Sequence, residues 1–220
     1  MSSVDSDEER DTFTEEEVTQ MKRISEQRRR DNLATFQVSN WDDDTTGVEE
    51  EKDPHGKPET EILWAAENGD LELVKKLTKI NEDLLHVKDK DGYTPLHRAC
   101  YSDHVEIVDY LLSIGADYSA QTEDLWQPLH SACCWNNAFC AAKLLEAGAD
   151  INAASKGGQT PLHLAASFGN AKETLQLLLM NPKLKPDLKN DTNETAFDIA
   201  QRTGTCYGLF QLVDDCINKL

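Results

Sequence analysis

An all-α solenoid of about five helix–turn–helix units, preceded by an acidic and mostly disordered N-terminal arm, is the fold this sequence predicts. Two observations carry the prediction. Thr94-Pro95-Leu96-His97, Gln127-Pro128-Leu129-His130 and Thr160-Pro161-Leu162-His163 recur at a spacing of 33 residues, and self-similarity at such a period marks a stack of structural repeats. Each unit then carries two small residues (Ala99-Cys100, Ala132-Cys133, Ala165-Ala166), followed by apolar residues at helical spacing: Val74 and Leu77, Leu111-Leu112, Leu144-Leu145, Leu177-Leu178.

Residues 1–11 are acidic and short of apolar side chains, which predicts disorder. Thr14-Glu15-Glu16-Glu17 fits a capping box, so a helix over 15–31 is expected, with a thin apolar stripe of Val18, Met21 and Ile24. Residues 39–60, with Asp42-Asp43-Asp44, Glu49-Glu50-Glu51, Pro54, Gly56 and Pro58, read as a linker. The arm therefore spans 1–58 and the repeats 59–220, in units of about 59–88, 89–121, 122–154, 155–189 and 190–220.

In the first unit Ile62, Ala65 and Ala66 take the places of Leu96, Ala99 and Cys100. Pro95, Pro128 and Pro161 suit a first helical turn, where the missing N–H would have had no partner. Thr94 and Thr160 are good N-caps, whereas Gln127 predicts a weaker third cap. Glycine in Gly115-Ala116-Asp117 and Gly148-Ala149-Asp150 supplies the left-handed residue that stops a helix. Met180 to Lys189 lacks that turn and is two residues longer. The fifth unit, from Thr195-Ala196-Phe197-Asp198 with a second helix over about Tyr207 to Lys219, is degenerate, as a cap facing water should be.

The net charge is −19. Residues 1–60 hold 18 Asp and Glu against 8 Lys and Arg. That balance argues against nucleic acid and anionic membranes as ligands and favours basic partners. No apolar run approaches the length of a membrane span, and the polar first 30 residues do not read as a signal peptide. The six cysteines are expected as reduced thiols of a cytosolic or nuclear protein.

The three Thr/Gln-Pro-Leu-His blocks in register resemble the ankyrin-repeat family, over roughly residues 60–220. The wording of Leu63-Trp64-Ala65-Ala66-Glu67, Tyr93-Thr94-Pro95-Leu96-His97-Arg98-Ala99, Cys134-Trp135-Asn136-Asn137, Leu178-Leu179-Met180-Asn181 and Glu194-Thr195-Ala196-Phe197-Asp198-Ile199-Ala200 is similar to a group of small animal members. That resemblance implies a nuclear, non-enzymatic regulator linked to gene expression and germ-cell differentiation (spermatogenesis).

His97, His130 and His163 stand at one repeat position, so successive copies are about 10 Å apart. They are expected to bond neighbouring turn backbone instead of converging on a metal ion. Cys133, Cys134 and Cys140 beside His130 lack the spacing of zinc-binding pairs. Cys100 and Cys133 read as small core residues. No nucleotide-binding glycine loop or nucleophile elbow is present, so neither an enzyme nor a cofactor is expected.

Partner-binding candidates come from places the solenoid does not need for its own core. They are Tyr93, Tyr101, Trp126, Trp135 and Phe168, with Asp91, Glu123 and Asp124 as an acidic rim for a basic segment of a protein partner. Ser6-Asp7-Glu8-Glu9 resembles an acidic kinase target. Lys22-Arg23 with Arg28-Arg29-Arg30 reads either as a nuclear import patch or as one charged helix face. The expected function is a monomeric protein-interaction module in the nucleus. A cytosolic adaptor bridging two proteins is the alternative, and a redox or metal sensor built on Cys133, Cys134 and Cys140 is a third reading.

Overall fold

Pro95, Pro128 and Pro161 open three helices of equal length, and the rest of the architecture follows from repeating that event. The structure, a computed structural model, describes residues 56–167, 171–204 and 206–210. The expected arm, its 15–31 helix, the basic run and Phe168 lie outside the described residues, as does the chain beyond residue 210.

Among the described residues there are nine named α-helices, a further helical stretch over residues 207–210 where the fifth unit's second helix was expected to begin, and no β-strand, only an isolated bridge between Lys189 and Thr195. The inner helices are α1 (Pro58–Asn68), α3 (Pro95–Tyr101), α5 (Pro128–Cys134), α7 (Pro161–Ser167) and α9 (Ala196–Thr203). The outer helices are α2 (Leu71–Ile80), α4 (Val105–Ser113), α6 (Ala138–Ala147) and α8 (Lys172–Leu179). A 3₁₀ turn, Glu82–His86, follows α2. Inner helices pack on inner and outer on outer from one repeat to the next, giving the expected solenoid.

The buried layer is periodic because the sequence is. Leu96, Leu129 and Leu162 are fully enclosed, and so are Ala99-Cys100, Ala132-Cys133 and Ala165-Ala166. Small side chains there let neighbouring inner helices approach, while Val108 and Leu111, Ala141 and Leu144, and Leu175 and Leu178 seal the outer layer. Ile62, Leu77 and Leu84 form a separate small cluster at the first repeat.

The inner helices that begin at Thr94 and Thr160 start with a closed circuit of hydrogen bonds. Thr94 Oγ1 accepts from the His97 N–H, and the Thr94 N–H donates to His97 Nδ1 at 3.2 Å. Nδ1 is thus an acceptor, which leaves Nε2–H to donate. It does so to the next repeat: His97 to the Trp126 carbonyl (3.0 Å), His130 to the Ala153 carbonyl (3.1 Å) and His163 to the Glu194 carbonyl (3.1 Å). The expectation that these histidines bond turn backbone holds for all three. The weak third cap is also seen: the amide oxygen of Gln127 is enclosed without a hydrogen-bond partner.

The hairpin turns between repeats are tied by one backbone bond per step. Glu123 N–H donates to the Asp91 carbonyl, Lys156 N–H to the Asp124 carbonyl and Asp191 N–H to the Gly157 carbonyl, at 2.8–3.0 Å. On the other side of the stack, where inner helices hand over to outer ones, His104 Nε2 donates to the Glu67 carbonyl, and Asn137 bridges to the end of α3.

Candidate functional site

The turn tips fix where large side chains can face a partner. Gly92, Gly158 and Asn193 occupy one equivalent position in their repeats, all with positive φ (88°, 69° and 64°). A Cβ at Gly92 would come within 2.9 Å of the Thr122 Cα, and one at Gly158 within 3.1 Å of the Asn190 Cα. The third repeat breaks this rule. Leu125 holds φ 60° there and exposes 43% of its surface. A branched, apolar side chain in left-handed backbone is strained, and strain of this sort gathers at binding sites.

Trp126 follows directly. Its indole is half-buried and lies over the His130 ring, centroids 6.2 Å apart and planes 29° apart. The Trp126 backbone N–H donates to Thr122 Oγ1 at 3.0 Å. Leu125 and Trp126 therefore form a held apolar tip on the third turn. Tyr93, one repeat earlier, is occupied by its own neighbours. Its ring meets the His97 edge at 5.6 Å and lies under the Arg98 guanidinium at 5.2 Å. Arg98 is in turn paired with Glu67 and Asp89. Burial raises the Tyr93 phenol above its ordinary range, against the opposing effect of Arg98.

Tyr101 and Trp135 are brought together at the ends of α3 and α5. Their rings meet edge to face at 4.9 Å, and Tyr101 remains 36% exposed. Asp91, Glu123 and Asp124 are exposed at the tips, but the rim is mixed in sign: Lys156 Nζ stands 3.7 Å from Asp124. Several exposed apolar residues were missed by the sequence reading, among them Met180, Ile80, Leu125 and Phe139, the last 73% exposed at the start of α6. Aligning the units one position at a time exposes the last two, because Leu125 replaces Gly92 and Gly158, and Phe139 replaces Glu72, Glu106 and Glu173.

The remaining chemistry is structural. Cys100, Cys133, Cys134 and Cys140 are buried free thiols. Burial pushes Cys134 up to about 12 and the other three well above the ordinary thiol range, so the reactive thiolate is suppressed. Among the described residues no three His, Cys, Asp or Glu side chains gather into a metal site. Burial lowers His97 and His130 to about 4, so both are neutral at pH 7. A cleft of about 290 Å³ lies between the first two repeats, beside His86, Lys88, Asp117 and Ser119. Two of its polar groups are spent internally: Lys88 Nζ donates to the Gln121 carbonyl and Ser119 Oγ to Asp117. No described helix is long and apolar enough to cross a membrane.

Comparison with known proteins agrees with this geometry. A family model described as ankyrin repeats (3 copies) matches residues 62–155, and one described as ankyrin repeats (many copies) matches residues 144–200. Ankyrin repeat domain-containing protein 49 of Homo sapiens is 56% identical over 170 residues, covering 77% of this chain and 71% of its own length. The protein of that name from Drosophila melanogaster is 49% identical over 175 residues, covering 79% of this chain and 81% of its own. A shorter match, 46% over 57 residues, covers 26% of this chain and 36% of a Mus musculus protein named protein phosphatase 1 regulatory subunit 27. With its periodic core, its tied turns and these matches, the chain belongs to the ankyrin-repeat family, within the group of ankyrin repeat domain-containing protein 49.

Proposed function

We propose that this protein is a non-enzymatic regulator that works by holding a protein partner against its second and third repeats, at the Leu125–Trp126 tip and the Tyr101–Trp135 pair. The observation that carries the reading is Leu125. The solenoid accepts a left-handed, exposed leucine where its own stability favours glycine, and an apolar contact with a partner recovers what the free protein loses. Trp126 beside it is rigidly placed, and aromatic anchors of this kind dominate binding energy in protein interfaces. A net charge of −19 favours a partner with a basic segment. Buried thiols held in the protonated form support a binding role over redox sensing.

The nucleus as site of action, with transcription and germ-cell differentiation as the process, rests on the resemblance of the repeat wording and on the basic run Lys22-Arg23 with Arg28-Arg29-Arg30. The protein acts as a monomer in this reading.

The test is proximity labelling in cells with the full chain and with Trp126→Ala/Trp135→Ala. Loss of a discrete labelled set, with circular dichroism and melting close to the parent, is the expected result. An unchanged labelled set removes the aromatic surface from the function.

A further inference from the structure

Three of the four outer helices begin alike. The second residue of α2, α4 and α8 is Glu72, Glu106 and Glu173, where a carboxylate interacts favourably with the helix N-terminus. The second residue of α6 is Phe139, and its ring is 73% exposed. The third repeat thus gives up a stabilising charge and presents an aromatic ring to water instead. Because α4, α6 and α8 pack in succession, Glu106, Phe139 and Glu173 form a row of carboxylate, ring and carboxylate. Its steps are about one helix-packing distance, roughly 10 Å. Glu173 is held in place by Asn136, whose Nδ2 donates to Oε2 at 2.9 Å.

The row lies where inner helices pass into outer ones, away from the turn tips that precede each inner helix. It is continuous with other aromatic surface: Trp135 caps α5 just before Phe139 and its ring meets Tyr101.

We infer that this edge is a second docking surface, and that it takes a partner segment in polyproline II conformation with a basic side chain three residues to each side of a large apolar one. The geometry selects that occupant. A polyproline II chain has three residues per turn and a rise of about 3.1 Å, so every third side chain falls on one face at about 9 Å intervals. A β-strand points residues three apart to opposite faces, so it cannot present such a triplet. The two flanking carboxylates, in a chain of net charge −19, complement cations on either side of the apolar anchor. The inference rests on the reading of the chain as a protein-binding solenoid; Trp135 adjoins both surfaces, and Trp126 lies outside the row.

The experiment is fluorescence anisotropy of the full chain with the labelled peptide Arg-Pro-Pro-Leu-Pro-Pro-Arg. Saturable binding is expected, weakened about tenfold or more by Phe139→Glu, which restores the pattern of the sister helices and so preserves the fold. Phe139→Leu retains binding. Glu106→Gln/Glu173→Gln weakens it about fivefold and flattens its salt dependence. Trp126→Ala leaves it unchanged. The inference is overturned by absent binding, by indifference to Phe139→Glu, or by equal binding of Arg-Arg-Leu-Pro-Pro-Pro-Pro, which would show charge attraction without register. Tighter binding of a helical peptide with the same triplet at seven-residue spacing would also overturn it. Failure here leaves the Leu125–Trp126 reading standing, because labelling by Trp126→Ala alone tests that reading at a residue outside the row.

Discussion

The side-chain amide of Asn137 spans the step from the third repeat to the second, its Nδ2 donating to the Tyr101 carbonyl at 2.9 Å and to the Cys100 carbonyl at 2.7 Å. One buried side chain thereby satisfies two carbonyls at the end of α3, which the helix itself leaves without partners. It also sets the backbone of Tyr101, whose ring meets Trp135 from the repeat that carries Asn137.

Asn137→Ala should therefore cost about 2 kcal/mol, since a buried acceptor left without its donor costs roughly 1–3 kcal/mol. For a chain of this size that is a fall in melting temperature of roughly 4–8 °C. Urea titration followed by circular dichroism measures it. Asn137→Asp should be as damaging, because a carboxylate cannot donate to either carbonyl.

Leu125→Asn should stabilise the protein. Asparagine tolerates left-handed backbone, as Asn193 does at the equivalent turn and Asn136 does elsewhere. Relief of the strain is worth about 1 kcal/mol. The melting temperature should rise by roughly 2–4 °C. A fall instead would show that Leu125 packs usefully within the free protein.

Stability should depend steeply on mild acid. His97 and His130 titrate at about 4 when folded, principally because they are buried, against about 6.5 when unfolded. The unfolded chain thus binds more protons between those values. The contribution is fully present above pH 6.5 and is lost as pH falls through about 4, amounting to about 3 kcal/mol for each histidine. Burial lowers His163 in the same direction. Urea midpoints measured from pH 7.5 to 4.5 should hold level down to about pH 6.5 and decline below it. A flat profile would show that the rings protonate without leaving their carbonyl acceptors.

In native protein at neutral pH a disulfide-exchange reagent should spare Cys100, Cys133, Cys134 and Cys140, which are buried and held as thiols. Half-buried Cys206 should react ahead of those four. Denaturation should release all six thiols of the chain. Rapid native reaction of Cys133 or Cys134 would reopen the sensor reading.

The fold was legible because its core is periodic. Leu96, Leu129 and Leu162, and the small residues that follow them, repeat at the spacing of the packing itself, so matching letters meant matching burial. The histidine circuits were legible for the same reason. The candidate binding surface was harder to read because residues the stack can spare for a partner are departures from the repeat. Trp126 and Tyr101 stood out as large aromatics. Leu125 did not, since an exposed leucine is unremarkable until its backbone is known to be left-handed. Phe139 drew no notice, since a single phenylalanine stands out only when it is set against Glu72, Glu106 and Glu173 at the same place in the sister units. Tyr93 scored as an anchor by type, whereas its ring is engaged by His97 and Arg98, contacts that spacing alone does not reveal.

The histidine at the start of the three middle inner helices has two jobs, to close its own turn and to donate forward. In the fifth repeat its place is taken by Asp198, whose carboxylate closes the turn on the Thr195 N–H and hydroxyl but has no proton to pass on. The forward chain of donors runs from His97 through His163 and stops there. Opening should consequently be graded along the molecule, with α9 exchanging its amide protons sooner than α3 or α5. A partner clamped to the middle repeats would slow exchange around Tyr101 and Trp126 while leaving that far end almost as quick as before, so deuterium uptake could locate the grip without any knowledge of what is gripping.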